Sequence, residues 1–316
     1  MKTEEINEKA STVYLSVVTP CFNEEENIQT YYNRVAPLCR MFADSFEIIL
    51  VDDGSNDGTW SKITSISKAD SHVKGVKLSR NFGKESALTA ALVFSKGDRV
   101  FIIDADLQDP PELLGDMMEC LDEGFDVVYG KRRKRAGETR FKLLTSYFFY
   151  RCLNVFSDVN MPTDTGDFRL MTRVVVEKVN SMSESNRYMK GIFTWVGFRQ
   201  KALLYDRDER VMGKSGWPYR KLLSLAVNAF TSFSIAPLRM AIVLSLLLAF
   251  FAMLGIGYVV WGKIAGHPVE GWSSIVVVLL FISSLQMFVL GIIGEYIGKL
   301  FMASKNRPLF IVSETT

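Results

Sequence analysis

The sequence predicts an α/β head tied to a membrane by two transmembrane helices, and three observations carry that prediction. Residues 13–129 alternate strand-like and helix-like patterns; the segments that follow the strand-like runs are crowded with Asp, Asn, Lys and Arg; and two uncharged apolar runs, Met240–Trp261 and Trp272–Gly294, close the chain. At about 1.5 Å per residue, runs of this length cross a hydrocarbon core of about 30 Å. Alternating β and α patterns predict a largely parallel sheet with helices on both faces.

The head elements follow in order. Val13–Thr19 reads as a strand, Glu24–Phe42 as a helix, Phe46–Val51 as a strand and Thr59–Ser67 as a helix. Val73–Leu78, Val100–Ile103 and Asp126–Tyr129 are the next strands, with helices over Ser86–Phe94 and Pro111–Asp122 between them. Ligands of such sheets sit beyond the carboxyl ends of the strands. There the sequence places Pro20-Cys21-Phe22-Asn23-Glu24-Glu25, then Asp52-Asp53-Gly54-Ser55-Asn56-Asp57-Gly58-Thr59, then Asp104-Ala105-Asp106, then Gly130-Lys131-Arg132-Arg133. Pro20–Glu25 lacks glycine, which excludes the GxGxxG turn of a dinucleotide oxidoreductase.

Further along, Trp217–Phe233 mixes Trp, Tyr and Leu with Arg220 and Lys221. It suits a helix lying in the membrane interface, or an amphipathic helix packed on the head. Lys214, Arg220, Lys221 and Arg239 precede the first apolar run and Lys299, Lys305 and Arg307 follow the second, while the 262–271 loop offers Lys263 and His267 against Glu270. The positive-inside bias then predicts a cytosolic head, with both ends of the chain in the cytosol. Arg307–Val312 reads as a short strand that pairs with the head or with a neighbouring subunit. The expected organisation is a head over 1–212, juxtamembrane amphipathic helices over 213–236, a two-helix transmembrane hairpin over 237–298 and a cytosolic segment over 299–316.

A net charge of +2 argues against a general nucleic-acid binder. The four cysteines, at 21, 39, 120 and 152, have neither CxxC spacing nor histidine partners, so a zinc site is not expected and a reducing compartment is. Met1–Ser11 is polar, without the apolar stretch of a cleavable signal.

Carboxylates one residue apart at a strand end can hold a hard divalent ion that keeps positions open for phosphate oxygens. Asp104 and Asp106, with the Gln108 amide oxygen, are the candidates for Mg²⁺ or Mn²⁺, which would neutralise charge on a departing diphosphate. Asp52 or Asp53 could accept hydrogen bonds from a base or ribose. The Lys131–Arg135 run could grip a lipid phosphate through guanidinium groups, Arg132 first among them.

Taken together, Val17-Val18-Thr19-Pro20 with Asn23-Glu24-Glu25, Val51–Thr59, Ser79-Arg80-Asn81-Phe82-Gly83-Lys84 and Asp104–Glu112 resemble the polyprenyl-phosphate glycosyltransferases of the dolichol-phosphate-mannose-synthase type. With its two spans the chain is most similar to the bacterial members that charge undecaprenyl phosphate with glucose, over Leu15 to Val312. The resemblance implies a GT-A (Rossmann-like) head and an inverting transfer of one hexose from a nucleotide sugar, UDP-glucose first and GDP-mannose as the alternative. By the same likeness Pro20, Asn23, Glu25, Asp52, Asp53, Lys84 and Asp104 would line the nucleotide pocket. Asp104, Asp106 and Gln108 would hold the metal, Arg132, Arg140 and Arg169 would meet the acceptor phosphate, and Asp167 in Thr165–Leu170 would act in catalysis with Asp106 and Arg132.

Because a phosphate monoester is largely a dianion at neutral pH, with a second pKa near ~6, Asp167 is expected to orient a substrate first and to abstract a proton second. The family likeness further implies a multi-pass protein of the cytoplasmic (inner) membrane that self-associates, a tetramer being favoured, and whose product is passed to a flippase and a second transferase for surface glycan modification. A processive polysaccharide synthase would show a Gln-x-x-Arg-Trp motif and more spans, and neither is found here.

Overall fold

A computed structural model describes residues 13–133, 165–182, 184, 187–206, 236–265 and 271–316. The described residues fall into two compact units, a head built from 13–133, 165–206 and 307–316, and a helical unit within 236–306. Of the expected juxtamembrane helices over 213–236, all but Ala236 lies outside the described residues, as does Arg140.

The head is one eight-stranded sheet in the order β7-β5-β6-β4-β1-β2-β3-β8. Its strands are β1 (Leu15–Cys21), β2 (Phe46–Asp52), β3 (Val73–Leu78), β4 (Arg99–Ile102), β5 (Val127–Arg132), β6 (Thr165–Thr172), β7 (Gln200–Tyr205) and β8 (Val312–Thr315). Its helices are α1 (Glu25–Phe42), α2 (Thr59–Ala69), α3 (Lys84–Phe94), α4 (Leu114–Asp122), α5 (Arg173–Ser181) and α6 (Met189–Trp195), with a 3-10 turn over Pro111–Leu113. The strands and helices expected as far as Tyr129 are all present, with ends that move by at most three residues.

The sheet is more mixed than the sequence predicts. β4, β1, β2 and β3 run parallel, but β6 lies antiparallel between β4 and β5, with Ile102 and Tyr129 both opposite Arg169, and β8 pairs antiparallel with β3. An antiparallel β6 brings its first residues to the rim where the parallel strands end. Asp167 reaches the site by that route.

β2 reads Phe-Glu-Ile-Ile-Leu-Val-Asp and is buried along its whole length, as a central strand covered on both faces must be. Side chains alternate between faces. Leu15, Val17, Ile48 and Leu50 pack with Ile28, Tyr31 and Val35 of α1 and Ile63 of α2 in one core. Ala87, Leu88 and Ala91 of α3 are fully buried, and α3 packs against β1 and β2.

A polar lock joins α1 to the turn after α2. Asp70 accepts from the Tyr32 hydroxyl and the Arg40 guanidinium, each at 2.7 Å, and from the His72 backbone N–H at 3.0 Å, with the His72 ring at 2.7 Å. Burial alone would raise the Asp70 carboxyl; the His72 N–H, the Tyr32 hydroxyl and the His72 ring outweigh it and hold it down to about 2. A depressed carboxylate stabilises the fold above its ordinary range, and that contribution is lost as the pH falls toward the folded value. Asp70→Asn is expected to lower stability by about 1–2 kcal/mol at pH 7. Thermal melts should show the gap between variant and wild type closing as the pH drops from about 4 toward 2.

The segment after the last helix forms a strand, as expected, but over Val312–Thr315 and not Arg307–Val312. Side chains at the end of the chain set that register: Thr316 takes the Gly75 N–H at 2.8 Å and meets Ser67, while Glu314 takes the Trp60 indole N–H at 3.1 Å and Lys77 at 3.2 Å.

In the helical unit, α7 (Ala236–Ile264) and α8 (Trp272–Ser304) contact each other. They extend past the two apolar runs. Phe281–Ser304 is long and apolar enough to cross a membrane, with mean hydropathy 1.5, whereas the corresponding stretch of α7, Ser245–Gly255, is shorter. Large apolar side chains lie exposed along both helices, among them Leu246, Phe251 and Trp261 on α7 and Phe281, Met287 and Leu300 on α8.

Candidate active site

Three loops at the carboxyl ends of β1, β2 and β3 are stitched together by side chains from the motifs. Asn23, in the left-handed region at φ 54°, donates its backbone N–H to the Ser55 hydroxyl oxygen (2.9 Å) and accepts the Asn56 N–H at its own Oδ1 (3.0 Å). The Glu25 carboxylate accepts the Gly58 N–H at 2.9 Å. Both oxygens of Asp53 are taken by backbone, from Phe82 N–H at 2.7 Å and Gly83 N–H at 2.9 Å, while burial raises its carboxyl. Asp52 is fully buried; Oδ1 accepts the Ser55 N–H at 3.0 Å, and Oδ2 has no hydrogen-bond partner among the described residues. Of this pair, Asp53 builds the loop that carries Gly83, while Asp52 holds its own turn through Ser55. Pro20 is the penultimate residue of β1, paired opposite Val51.

Gly54 is where these loops come closest. Its φ is +68°, and a Cβ there would stand 2.5 Å from the Arg80 carbonyl carbon and 2.6 Å from the Asn81 nitrogen. Gly54→Ala combines a left-handed conformation with a backbone clash and is expected to cost about 1–3 kcal/mol. Thermal melts should show that loss, because the loop carrying Asp52 and Asp53 must shift.

The carboxylates of the rim meet at one lysine. Lys84, the first residue of α3, places Nζ 2.8 Å from both oxygens of Asp104 and 2.9 Å from Asp167 Oδ2. Asp167 is 8 % exposed, and its Oδ1 has no hydrogen-bond partner among the described residues. Burial pushes the Asp167 carboxyl up, but the charges of Lys84 and Lys190, with Arg169, hold it well below the ordinary carboxylate range. Loss of water would lower the Lys84 ammonium; its two carboxylate partners raise it well above the usual lysine range. Beside them, burial and the Asp167 charge raise Glu85 to about 7, and Glu85 accepts the Met189 N–H at 3.1 Å.

Asp106 is buried and accepts the Gln108 N–H at 3.2 Å, with Leu107 turning the chain at φ 52°. Among the described residues no group of three or more His, Cys, Asp and Glu gathers as a metal cluster. Asp104 and Asp106 nonetheless present hard carboxylate oxygens one residue apart, a donor set that suits Mg²⁺ or Mn²⁺ once phosphate oxygens complete the shell.

Across Gly166 lies a second cluster. Arg132 Nη2 is 3.6 Å from Asp109 and its Nε donates to the Tyr205 hydroxyl at 3.3 Å; that hydroxyl also bonds Asp109. Tyr205 and Asp109 outweigh burial and raise the Arg132 guanidinium. Gly166 adjoins both groups: a Cβ on it would stand in ordinary contact, 3.5 Å from Arg132 Nη2 and 3.9 Å from Asp109 Oδ2. Arg169, expected at the acceptor phosphate, is instead 4 % exposed, and burial brings its guanidinium down to about 10. It donates to the carbonyls of Asp167 (3.2 Å) and Gly166 (2.9 Å) and stacks over Phe193 at 3.9 Å, so it braces the strand that presents Asp167.

The structure thus brings Lys84, Asp104 and Asp167 together, sets Arg132 on the other side of Gly166, and adds Glu85, Asp109, Lys190 and Tyr205. Asp109 sits in the run that carries Asp104 and Asp106; no motif marks the other three.

Residues 16–179 match the model of glycosyl transferase family 2, and residues 236–300 match the GtrB C-terminal hairpin. The chain is 40 % identical over 304 residues to the uncharacterized glycosyltransferase sll0501 of Synechocystis sp. (strain ATCC 27184 / PCC 6803 / Kazusa), covering 96 % of each. It is 40 % identical over 304 residues to the uncharacterized glycosyltransferase YkcC of Bacillus subtilis (strain 168), covering 96 % of this chain and 94 % of that one. It is 39 % identical over 302 residues to the SfII prophage-derived bactoprenol glucosyl transferase of Shigella flexneri, covering 95 % of this chain and 98 % of that one.

Proposed function

The chain belongs to glycosyl transferase family 2, and from that footing we propose that it moves one hexose, glucose, from a nucleotide sugar, UDP-glucose first, onto polyprenyl phosphate. The observation that carries this reading is the near-full-length likeness to a bactoprenol glucosyl transferase, which takes in the C-terminal hairpin as well as the head. A lipid acceptor also accounts for α7 and α8, whose apolar side chains stand exposed over lengths of about 43 and 50 Å. Soluble proteins rarely leave so much apolar surface uncovered. In this reading both helices span the cytoplasmic membrane and the head faces the cytosol. Self-association as a tetramer, a flippase and a downstream transferase belong to the same proposal.

The contacts support a role for each residue. Asp52, Asn23 and Glu25 shape the nucleotide pocket with Pro20, while Asp53 fixes the loop that carries Gly83 and Lys84. Asp104 and Asp106, with Gln108, would hold a divalent ion that neutralises charge on the departing diphosphate. Arg132, aimed by Asp109 and Tyr205, grips the acceptor phosphate. An oxygen of the phosphate dianion attacks the anomeric carbon, the bond from that carbon to the diphosphate oxygen breaks, and the nucleoside diphosphate leaves with the electron pair. Asp167, ionised beside Lys84, orients a sugar hydroxyl through an oxygen that accepts.

The test is a panel of nucleotide sugars offered to the detergent-solubilised protein with undecaprenyl phosphate and Mg²⁺ or Mn²⁺. UDP-glucose should give the fastest formation of a lipid-linked sugar; GDP-mannose leading the panel would change the donor assignment, and no lipid-linked product from any donor would end the proposal.

A further inference from the structure

Asp104 follows β4 and Asp167 lies on β6, and a single ammonium joins them: Lys84 Nζ is 2.8 Å from both Asp104 oxygens and 2.9 Å from Asp167 Oδ2. Asp104 is the first carboxylate of the pair assigned to the divalent ion, so the lysine engages the very oxygens that the ion would need. A Mg²⁺ ion binds carboxylate oxygen at about 2.0–2.1 Å. An ammonium bonded to both oxygens of the same carboxylate would then face a divalent charge at close range. One cation must give way. Lys84 can, because its side chain is 46 % exposed and its four-carbon stem is flexible. Asp167 cannot follow it: that side chain is buried, and Arg169 braces its backbone through the carbonyls of Asp167 and Gly166.

We infer that Lys84 is a positioning residue that stands in for the divalent cation while the donor site is empty, and that it releases Asp104 but keeps Asp167 when the donor and its cation arrive. The inference rests on the reading of Asp104 as a cation ligand. It has two consequences. The free protein holds divalent ions weakly, because Lys84 competes for Asp104, until a nucleoside diphosphate adds negative charge to the site. Asp167 keeps a cationic partner throughout, so its second oxygen, unpartnered among the described residues, is ready for a substrate hydroxyl before and after the exchange.

The experiment is Mn²⁺ binding to the full-length protein in detergent, read from the electron paramagnetic resonance signal of free Mn²⁺, with and without uridine or guanosine diphosphate. Lys84→Met should bind Mn²⁺ without nucleotide about tenfold more tightly than wild type, since a like charge near the site has gone. Asp104→Asn in the Lys84→Met background should remove that gain, and Lys84→Arg, which keeps the charge, should stay near wild type. Turnover of Lys84→Met should fall even though Mn²⁺ binds better, because Asp167 has lost its partner. Unchanged or weaker Mn²⁺ affinity in Lys84→Met, with wild type still binding Mn²⁺ beside a nucleoside diphosphate, overturns the exchange and leaves the donor reading standing. Absence of Mn²⁺ binding in both proteins even with nucleotide overturns the two together.

Discussion

Asp104→Asn is expected to lower kcat for hexose transfer about 10²–10³-fold, the range seen when one preorganised electrostatic contact to a developing charge is removed. The carboxylate does two jobs at once. In the free protein it shares Lys84 with Asp167, and in the proposed donor complex it shares a cation with the diphosphate, so an amide in its place weakens both. The substitution is nearly isosteric and the side chain is 29 % exposed, so the fold should survive. Mn²⁺ affinity in the presence of a nucleoside diphosphate should drop in parallel with kcat. Less than a threefold loss of turnover would remove Asp104 from the reaction.

Asp167→Asn should cost about 10²-fold in kcat, for a different reason. An asparagine keeps the shape of the side chain but not its charge, so the Lys84 ammonium loses one of its two charged partners. The shape of the pH profile decides between the two roles open to Asp167. If it orients a hydroxyl, the rate of both wild type and variant climbs as the pH passes the second ionisation of the acceptor phosphate, near ~6, because the dianion is the nucleophile. If it removed a proton in the rate-limiting step, that limb would change its position or vanish in the variant. The depressed carboxyl of Asp167 favours the first outcome, since a carboxylate held by two lysines is a weak base. Near-normal turnover by Asp167→Asn would rule out both roles.

Much of this site was legible in the sequence because parallel α/β sheets gather ligands at strand ends, and the polar runs after β1, β2 and β4 mark those ends directly. What could not be read was direction. Thr165–Thr172 is a buried strand, and neither its composition nor its alternation says whether it runs with β4 or against it. Its antiparallel course decides that Asp167, near its start, stands at the rim with Asp104 and Arg132. Tertiary partners were hidden for the same reason. Tyr205 ends β7, the edge strand farthest from β3, and becomes a neighbour of Arg132 and Asp109 through the pairing of β5 with β7. Lys84 looked like part of a nucleotide loop and is a bridge between two carboxylates. Arg169 looked like a phosphate ligand because it lies two residues from Asp167 on the same face of β6, yet its guanidinium is buried, stacked over Phe193 and bonded to the Asp167 and Gly166 carbonyls.

The central claim, that a lipid-borne phosphate attacks a nucleotide-activated hexose at a site built on Asp104, Asp167 and Arg132, is tested most directly by mass spectrometry of the lipid made by the purified full-length protein from UDP-glucose and undecaprenyl phosphate. The account predicts a single species, undecaprenyl phosphate bearing one hexose through its original phosphate, absent from the Asp104→Asn preparation. Hexose found in a polymer or joined to the lipid through a diphosphate, or the same yield from Asp104→Asn as from wild type, would contradict it.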